Sequence, residues 1–113
     1  MATQMKYSRE EYNERILLEL RYTQAKGEIT EDLKFLFFEL ANDISKSKER
    51  YEFIDEDSRT MCVVFAYDAC MRFAPTFNIE KSDRAFSYFS IVIRSSFGTS
   101  LIKQRKRNKL LSL

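Results

Sequence analysis

The sequence has no histidine, and among its 113 residues there are two glycines, one proline and two cysteines. Without histidine the chain lacks the commonest general base and the commonest protein ligand of transition metals. Gly27 and Gly98 stand far apart, so no glycine-rich loop is available to hold a phosphate. We therefore predict that the protein is not an enzyme and has no catalytic residue, metal ligand or cofactor.

The cysteines are Cys62 and Cys70. Eight residues apart on one helix, they would lie roughly 12 Å apart along its axis, which is too far for a disulfide. Reduced cysteines favour a cytosolic protein. Residues 1–7 are too polar for a signal peptide, and no apolar run approaches the roughly 20 residues of a membrane span.

Charge is distributed unevenly along the chain, although the net charge is +2. Residues 1–60 hold 14 acidic and 10 basic side chains, a balance of −4, whereas residues 61–113 hold 3 acidic and 9 basic ones, a balance of +6. A chain of this kind presents one end to an anion. The size and the 44% hydrophobic content predict one domain over residues 1–113, with a basic C-terminal end at 103–113.

Hydrophobic periodicity and capping residues predict an all-α fold, a compact bundle of about four helices. The first helix is expected to begin after Ser8, in the capping box SREE, and to end at Gly27. Thr30 can cap the second helix, and the stretch SKSKER (45–50) is expected to be its solvated end. The apolar stripe of the second helix comprises Leu33, Leu36, Phe37, Leu40 and Ile44.

The third helix, predicted over residues 58–74, has two apolar faces where a surface helix needs one. The acidic stretch IDEDS (54–58) precedes it, and Pro75 stops it. Its first face has mostly small residues: Cys62, Ala66, Ala69 and Phe73. Its second face is larger and holds one carboxylate: Val64, Tyr67, Asp68 and Met71. Either the helix is buried all round, or the second face binds a partner protein.

The fourth helix is expected to begin after a cap at Ser82 or Asp83 and to carry more apolar surface than one stripe needs. The predicted core stripe is Phe86, Phe89, Ile93, Phe97 and Leu101. The opposite face comprises Tyr88, Ile91, Val92, Ser95, Thr99, Lys103 and Lys106. It leads directly into a basic segment made up of Lys103, Arg105, Lys106, Arg107 and Lys109.

A terminal run of cations is usually a solvated helix end, but here it adjoins aromatic and apolar side chains on one helix. Cations hold phosphates, and unstacked bases lie on aromatic rings. This combination favours nucleic-acid binding. A membrane-surface helix is disfavoured, because its cations would flank a continuous apolar face rather than follow it.

Residues 68–107 resemble part of a known family. DACMRFAPTFNIEKSDRAFSYFSIVIRSSFGTSLIKQRKR (68–107) is similar to region 2 of bacterial sigma factors, and most similar to the late-transcription sigma factors of T-even-type bacteriophages and their cyanophage relatives. The similarity covers about forty residues, one third of the chain. The residues that correspond are Asp68, Cys70, Met71, Phe77, 86–89, Phe97 and the basic cluster 103–109.

The resemblance implies a function for each outward face. The third helix would bind a coiled coil on the clamp of the largest polymerase subunit, β′, through Val64, Tyr67, Asp68 and Met71. The fourth helix would recognise a TATA-like −10-type promoter element and help to melt it. Tyr88 aligns with the position that holds an unstacked base of the nontemplate strand. The implied DNA-binding residues are Phe86, Tyr88, Phe89, Ile91, Val92, Arg94, Ser95, Thr99, Lys103, Arg105, Lys106 and Arg107.

Some positions depart from the family. Ile91 and Val92 stand where primary sigma factors carry tryptophans, which implies a weaker wedge for strand separation. Thr99 and Ser100 stand where relatives often have two arginines, which lowers the expected affinity for DNA. The final KLLSL is hydrophobic but not acidic, unlike the tail by which phage late sigma factors bind a sliding clamp.

The partners implied are the bacterial RNA polymerase core and promoter DNA, with a phage co-activator and a sliding clamp as further candidates and no membrane. The location implied is the cytoplasm of the infected bacterial host. One alternative stays open: a helical adaptor or inhibitor that binds a host protein, for example RNA polymerase, through Val64, Tyr67 and Met71 and does not recognise a promoter.

Overall fold

The computed structural model describes residues 5–47, 53 and 55–111, without the side chains of Asn108 and Leu111. In this part of the chain there are helices and no strands, and the helices pack into a compact bundle, which confirms the predicted all-α fold. The helices are α1 (Arg9–Lys26), α2 (Glu31–Lys46), α3 (Glu56–Phe73) and α4 (Ala85–Leu111), with one turn of 3-10 helix at Ala74–Thr76.

Local side chains cap the first three helices. The side chains of Ser8, Thr30 and Asp55 each accept a hydrogen bond from the backbone N–H three residues further on, at 3.1, 3.1 and 2.8 Å. Gly27 ends α1 with φ at +80°, a conformation that glycine adopts without steric cost. The predictions for Ser8, Gly27 and Thr30 are confirmed. The stretch predicted as the solvated end of α2 lies partly outside the described residues.

A side chain from α1 holds the beginning of α4. Asn13 Oδ1 accepts a hydrogen bond from the Phe86 N–H at 2.9 Å, and Asn13 Nδ2 donates to the Asp83 carbonyl at 2.8 Å. Ser82 Oγ accepts from the Arg84 N–H, which precedes the first residue of α4. The backbone N–H of Phe86 in the first turn of α4 is therefore satisfied by a residue 73 positions away in sequence, and not by Ser82 or Asp83, the predicted caps.

The core includes the apolar stripes that the sequence predicted for α2 and α4, every member of which is buried, together with Tyr12, Ile16 and Leu20 of α1. The rings of Phe37 and Phe89 meet at its centre, with their centroids 4.7 Å apart. On α3 the predicted small residues are buried as well, which lets this helix pack closely between α2 and α4. Phe73 was predicted with them but is half-exposed, because it is the last residue of α3 and the chain turns there into the 3-10 helix.

Both cysteines are buried free thiols, as predicted from their spacing. Burial raises the pKa of Cys70 to about 12, so this thiol stays protonated at neutral pH and is a poor nucleophile. No helix among the described residues has both the length and the apolar character that crossing a membrane requires.

Candidate functional site

The outward side of α3 carries exposed apolar surface. Val64 is 51% exposed, Tyr67 and Met71 are partly buried against the core, and Asp68 is exposed. Of the two interpretations of α3, burial all round is therefore wrong. The four residues predicted to bind a partner protein lie together within two turns of one helix.

α2 widens this apolar area with a residue that the sequence interpretation missed. The ring of Phe38, which is half-exposed, meets the ring of Tyr67 edge to face, with centroids 6.0 Å apart. A signal was present in the sequence, because FLFF at 35–38 holds more aromatic side chains than one buried stripe needs. We refer to Phe38, Val64, Tyr67 and Met71 as the α2–α3 surface.

Polar contacts fix α2 and α3 to one another beside this surface. The Arg59 guanidinium of α3 donates to Asn42 Oδ1 and to Ser45 Oγ of α2, both at 2.8 Å. Arg59 also pairs with Glu56, and this hydrogen bond raises the pKa of the guanidinium. The α2–α3 surface is therefore held in shape before any partner binds, which lowers the entropic cost of binding.

Asp68 lies on α3 beside the α2–α3 surface and forms an ion pair with Arg72, with Oδ2 and Nε 3.7 Å apart. Both side chains are well exposed. Because an exposed pair of this kind contributes little to stability, Asp68 can change partner at little cost.

The outward side of α4 presents Tyr88 on a support of other aromatic rings. Tyr88 is 37% exposed, and its ring packs edge to face against the rings of Phe77 and Phe89, at 5.1 and 5.0 Å between centroids. Phe77 is buried and comes from the loop before α4. The orientation of the Tyr88 ring is therefore fixed while part of it remains open to solvent.

The predicted DNA contact of two residues is corrected by the burial of their side chains. Phe86 and Phe89 are both buried, and the Arg9 guanidinium lies 5.3 Å above the Phe86 ring. The sequence analysis predicted these phenylalanines both as members of the core stripe and as DNA contacts beside Tyr88. The core prediction is confirmed and the DNA contact is wrong, because a ring enclosed in the bundle offers no face to a base.

The remaining candidate residues of α4 lie along its outward side with different degrees of exposure. Ile91 is 67% exposed, and Ser95 and Thr99 are exposed, whereas Val92 and Arg94 are partly buried. Val92 packs against the core, so its contribution to an outward face is small.

The basic segment continues this face at the C-terminal end of α4. Its predicted DNA-binding cations are all exposed: Lys103, Arg105, Lys106 and Arg107. The Lys103 ammonium lies 5.4 Å from the centroid of the Phe65 ring of α3. Fifteen residues separate Tyr88 from Lys103, so the two ends of the face are about 22 Å apart, roughly the length of six base pairs.

Gln104 anchors the basic segment to α3. Its Nε2 donates to Ser100 Oγ at 3.1 Å, and its Oε1 accepts a hydrogen bond from the Ser58 hydroxyl of α3. Among the described side chains from 102 to 110, all the others are exposed. This glutamine and the contact between Lys103 and Phe65 therefore help to hold the cations in place.

We expect Gln104→Leu to loosen the basic segment. Leucine keeps the bulk of the side chain but removes the hydrogen bonds, worth about 1 kcal/mol net, so amide protection at 103–110 should fall roughly fivefold in hydrogen exchange. Ser58→Ala should have a smaller effect, because it removes one of these bonds, and the double variant should be no looser than Gln104→Leu alone. Unchanged exchange in Gln104→Leu would mean that the segment is held without this bridge.

Comparisons with protein-family models, curated proteins and solved structures give no match for this chain. A function must therefore be argued from the two exposed faces, their charges and the contacts that support them.

Proposed function

We propose that this chain is a phage-type sigma factor, which binds RNA polymerase core through the α2–α3 surface and holds a melting TATA-like promoter element along α4. The observation that carries the proposal is the outward side of α4. There the exposed ring of Tyr88, supported by Phe77, lies on the same side of one helix as Lys103 and Lys106 of the basic segment. The resemblance of residues 68–107 to sigma region 2 supports the same function.

The α2–α3 surface has the composition of a protein-binding site. Aromatic residues and methionine are enriched at the centres of protein interfaces, whereas charged residues are depleted there. The aromatic residues and the methionine here are Phe38, Tyr67 and Met71, and the charged Asp68 lies at the edge of the surface. A coiled coil of the β′ clamp would cover Val64 and receive Asp68 as a polar contact.

The outward side of α4 would bind DNA in a fixed order. Tyr88 would stack on one unpaired base, and the exposed Ile91 would pack against the neighbouring bases as an aliphatic wedge. The hydroxyl groups of Ser95 and Thr99 are placed to contact sugar or phosphate, which positions the strand without reading sequence. The basic segment would then hold phosphates of the duplex on the upstream side.

The mechanism consists of binding energy and involves no covalent step. Stacking on an aromatic side chain contributes about 1–3 kcal/mol per base, and unpairing one base costs a few kcal/mol. One tyrosine therefore offsets part of the cost of melting. The rest of the free energy for melting must come from polymerase core and from a co-activator. The proposal therefore includes a co-activator as a partner. It also includes a location in the cytoplasm of the host. Coupling to a sliding clamp would need an epitope other than KLLSL.

The direct test is binding to polymerase core followed by runoff transcription on a TATA-like template. We expect the chain to co-purify with core and to start transcription that core alone does not start. If no complex forms, the proposal fails in its first step.

The alternative, a helical adaptor or inhibitor of a host protein, uses the α2–α3 surface without the outward side of α4. The salt dependence of promoter binding by the reconstituted holoenzyme separates the two. For a sigma factor, changing Lys103, Arg105 or Lys106 to Gln should each reduce the slope of log K against log salt by about 0.9 on duplex DNA. The control is Lys26→Gln, which changes another exposed cation, at the end of α1, and should leave the slope unchanged. Unchanged slopes in all four variants, with core binding retained, would favour the adaptor.

A further inference from the structure

A groove lies between α1 and α2, and the proposed function does not use it. Its volume is about 250 Å³. It is lined by Tyr7, Arg15, Leu18, Glu19, Asp32, Phe35, Leu36 and Glu39.

Large apolar side chains at this groove are exposed. Phe35 is 63% exposed, and Leu18 on the opposite wall is about half-exposed. The Lys6 ammonium lies 5.5 Å from the centroid of the Phe35 ring but leaves most of that side chain open to solvent. Two exposed apolar side chains on opposite walls give a partner an apolar surface to cover.

The rim of the groove is acidic. Its lining holds three carboxylates and one guanidinium, and that guanidinium, from Arg15, lies over the ring of Tyr7 at 4.4 Å. Glu39 is paired with Lys6 at 3.6 Å, and Glu19 accepts a hydrogen bond from Thr30. The partner that fits is therefore a helix with apolar side chains and basic ones on the same side.

The chain itself carries such a helix. Ile102, Lys106 and Leu110 are four residues apart on α4 and so lie on one side of it. Ile102 is half-exposed and Leu110 is 72% exposed. Residues 102–110 hold five cations and no carboxylate. This side of α4 therefore matches a groove with apolar walls and an acidic rim in its order of apolar, basic and apolar side chains.

The occupant must come from a second copy. Gln104 ties the end of α4 to Ser58, at the beginning of α3, and the next residue of α3, Arg59, bonds Ser45 near the end of α2. The groove lies at the other end of α2, where Asp32 is 13 residues, or about 20 Å, from Ser45. The basic segment therefore cannot reach its own groove.

We propose that in the free protein the basic segment of one copy binds the groove between α1 and α2 of another. The charge balance of −4 in residues 1–60 and +6 in residues 61–113 favours this head-to-tail contact. The self-association does not depend on the proposed function. The consequence for DNA binding rests on the proposed function: self-association covers the cations that would hold promoter phosphates, so DNA competes with the second copy for them.

The test uses the purified full chain, without DNA or polymerase, in sedimentation velocity at several protein concentrations and at low and high salt. We expect a mass above that of the monomer at low salt, falling towards the monomer as salt rises. Failure of the sigma-factor proposal would not change this result, since neither of its partners is present.

Charge reversal identifies the contact. Asp32→Lys and Lys106→Glu should each weaken self-association about tenfold or more, because each places like charges opposite one another. Mixing the two variants should restore association, because each copy then offers a group opposite in charge to one on the other. Both side chains are exposed, so the fold should tolerate both changes. A monomer at every salt and protein concentration, or a mixture that stays monomeric, would overturn the proposal.

Discussion

Val64→Asp should reduce the affinity for polymerase core by about a hundredfold, or roughly 3 kcal/mol. Val64 is half-exposed at one end of the α2–α3 surface, and Asp68 follows it one turn later on the same side of α3. A partner that covers Val64 would have to bury the new carboxylate without a cation and next to a second carboxylate. A titration of labelled core with each protein measures the change.

The matched control is Leu18→Asp on α1. Leu18 is about as exposed as Val64 but lies outside the α2–α3 surface, so the same chemical change should leave core binding within about twofold of wild type. Because Leu18 lines the groove between α1 and α2, the titration is made at a protein concentration at which wild type is monomeric in sedimentation. Thermal melting of both variants checks that neither is unfolded. An equal loss in the two variants would place the core-binding site elsewhere.

Tyr88→Ala should weaken capture of the unpaired nontemplate strand by about 5- to 150-fold, which corresponds to the 1–3 kcal/mol of one stacked base. Core binding should not change, because Tyr88 is on α4 and contacts Phe77 and Phe89 rather than the α2–α3 surface. The measurement compares the reconstituted holoenzyme on two fork-junction DNAs, with and without the unpaired nucleotides. The loss should appear on the first DNA and be small on the second.

Tyr88→Phe serves as the control, since it keeps the ring and removes the hydroxyl. We expect it to bind the fork nearly as well as wild type, because stacking depends on the ring face. Truncation to alanine also uncovers Phe77, so the free energy of unfolding of both variants must be measured. If Tyr88→Ala loses affinity equally on both DNAs, the ring does not hold a base.

Much of the fold was predictable because the signals are local. A cap such as Ser8 or Thr30 bonds an amide three residues away, and Gly27 supplies a backbone conformation at its own position. The core stripes of α2 and α4 were also predictable, since apolar residues repeated every three or four positions must share one side of a helix.

Other features depend on residues that are distant in the chain and meet through packing. Asn13 caps α4 from 73 positions away, Phe77 supports Tyr88, and Phe38 extends the surface of α3. No local rule pairs these residues, because their contacts follow from how the helices pack.

The sequence by itself determined that α3 and α4 carry more apolar surface than a core stripe needs, and that cations follow on α4. Which of those side chains reach solvent was decided by the tertiary structure. Phe89 is enclosed while its neighbour Tyr88 is partly open, and Phe73 is uncovered where α3 ends. The physical reason is that periodicity determines the direction of a side chain from its own helix, whereas its burial depends on the helix that packs against it.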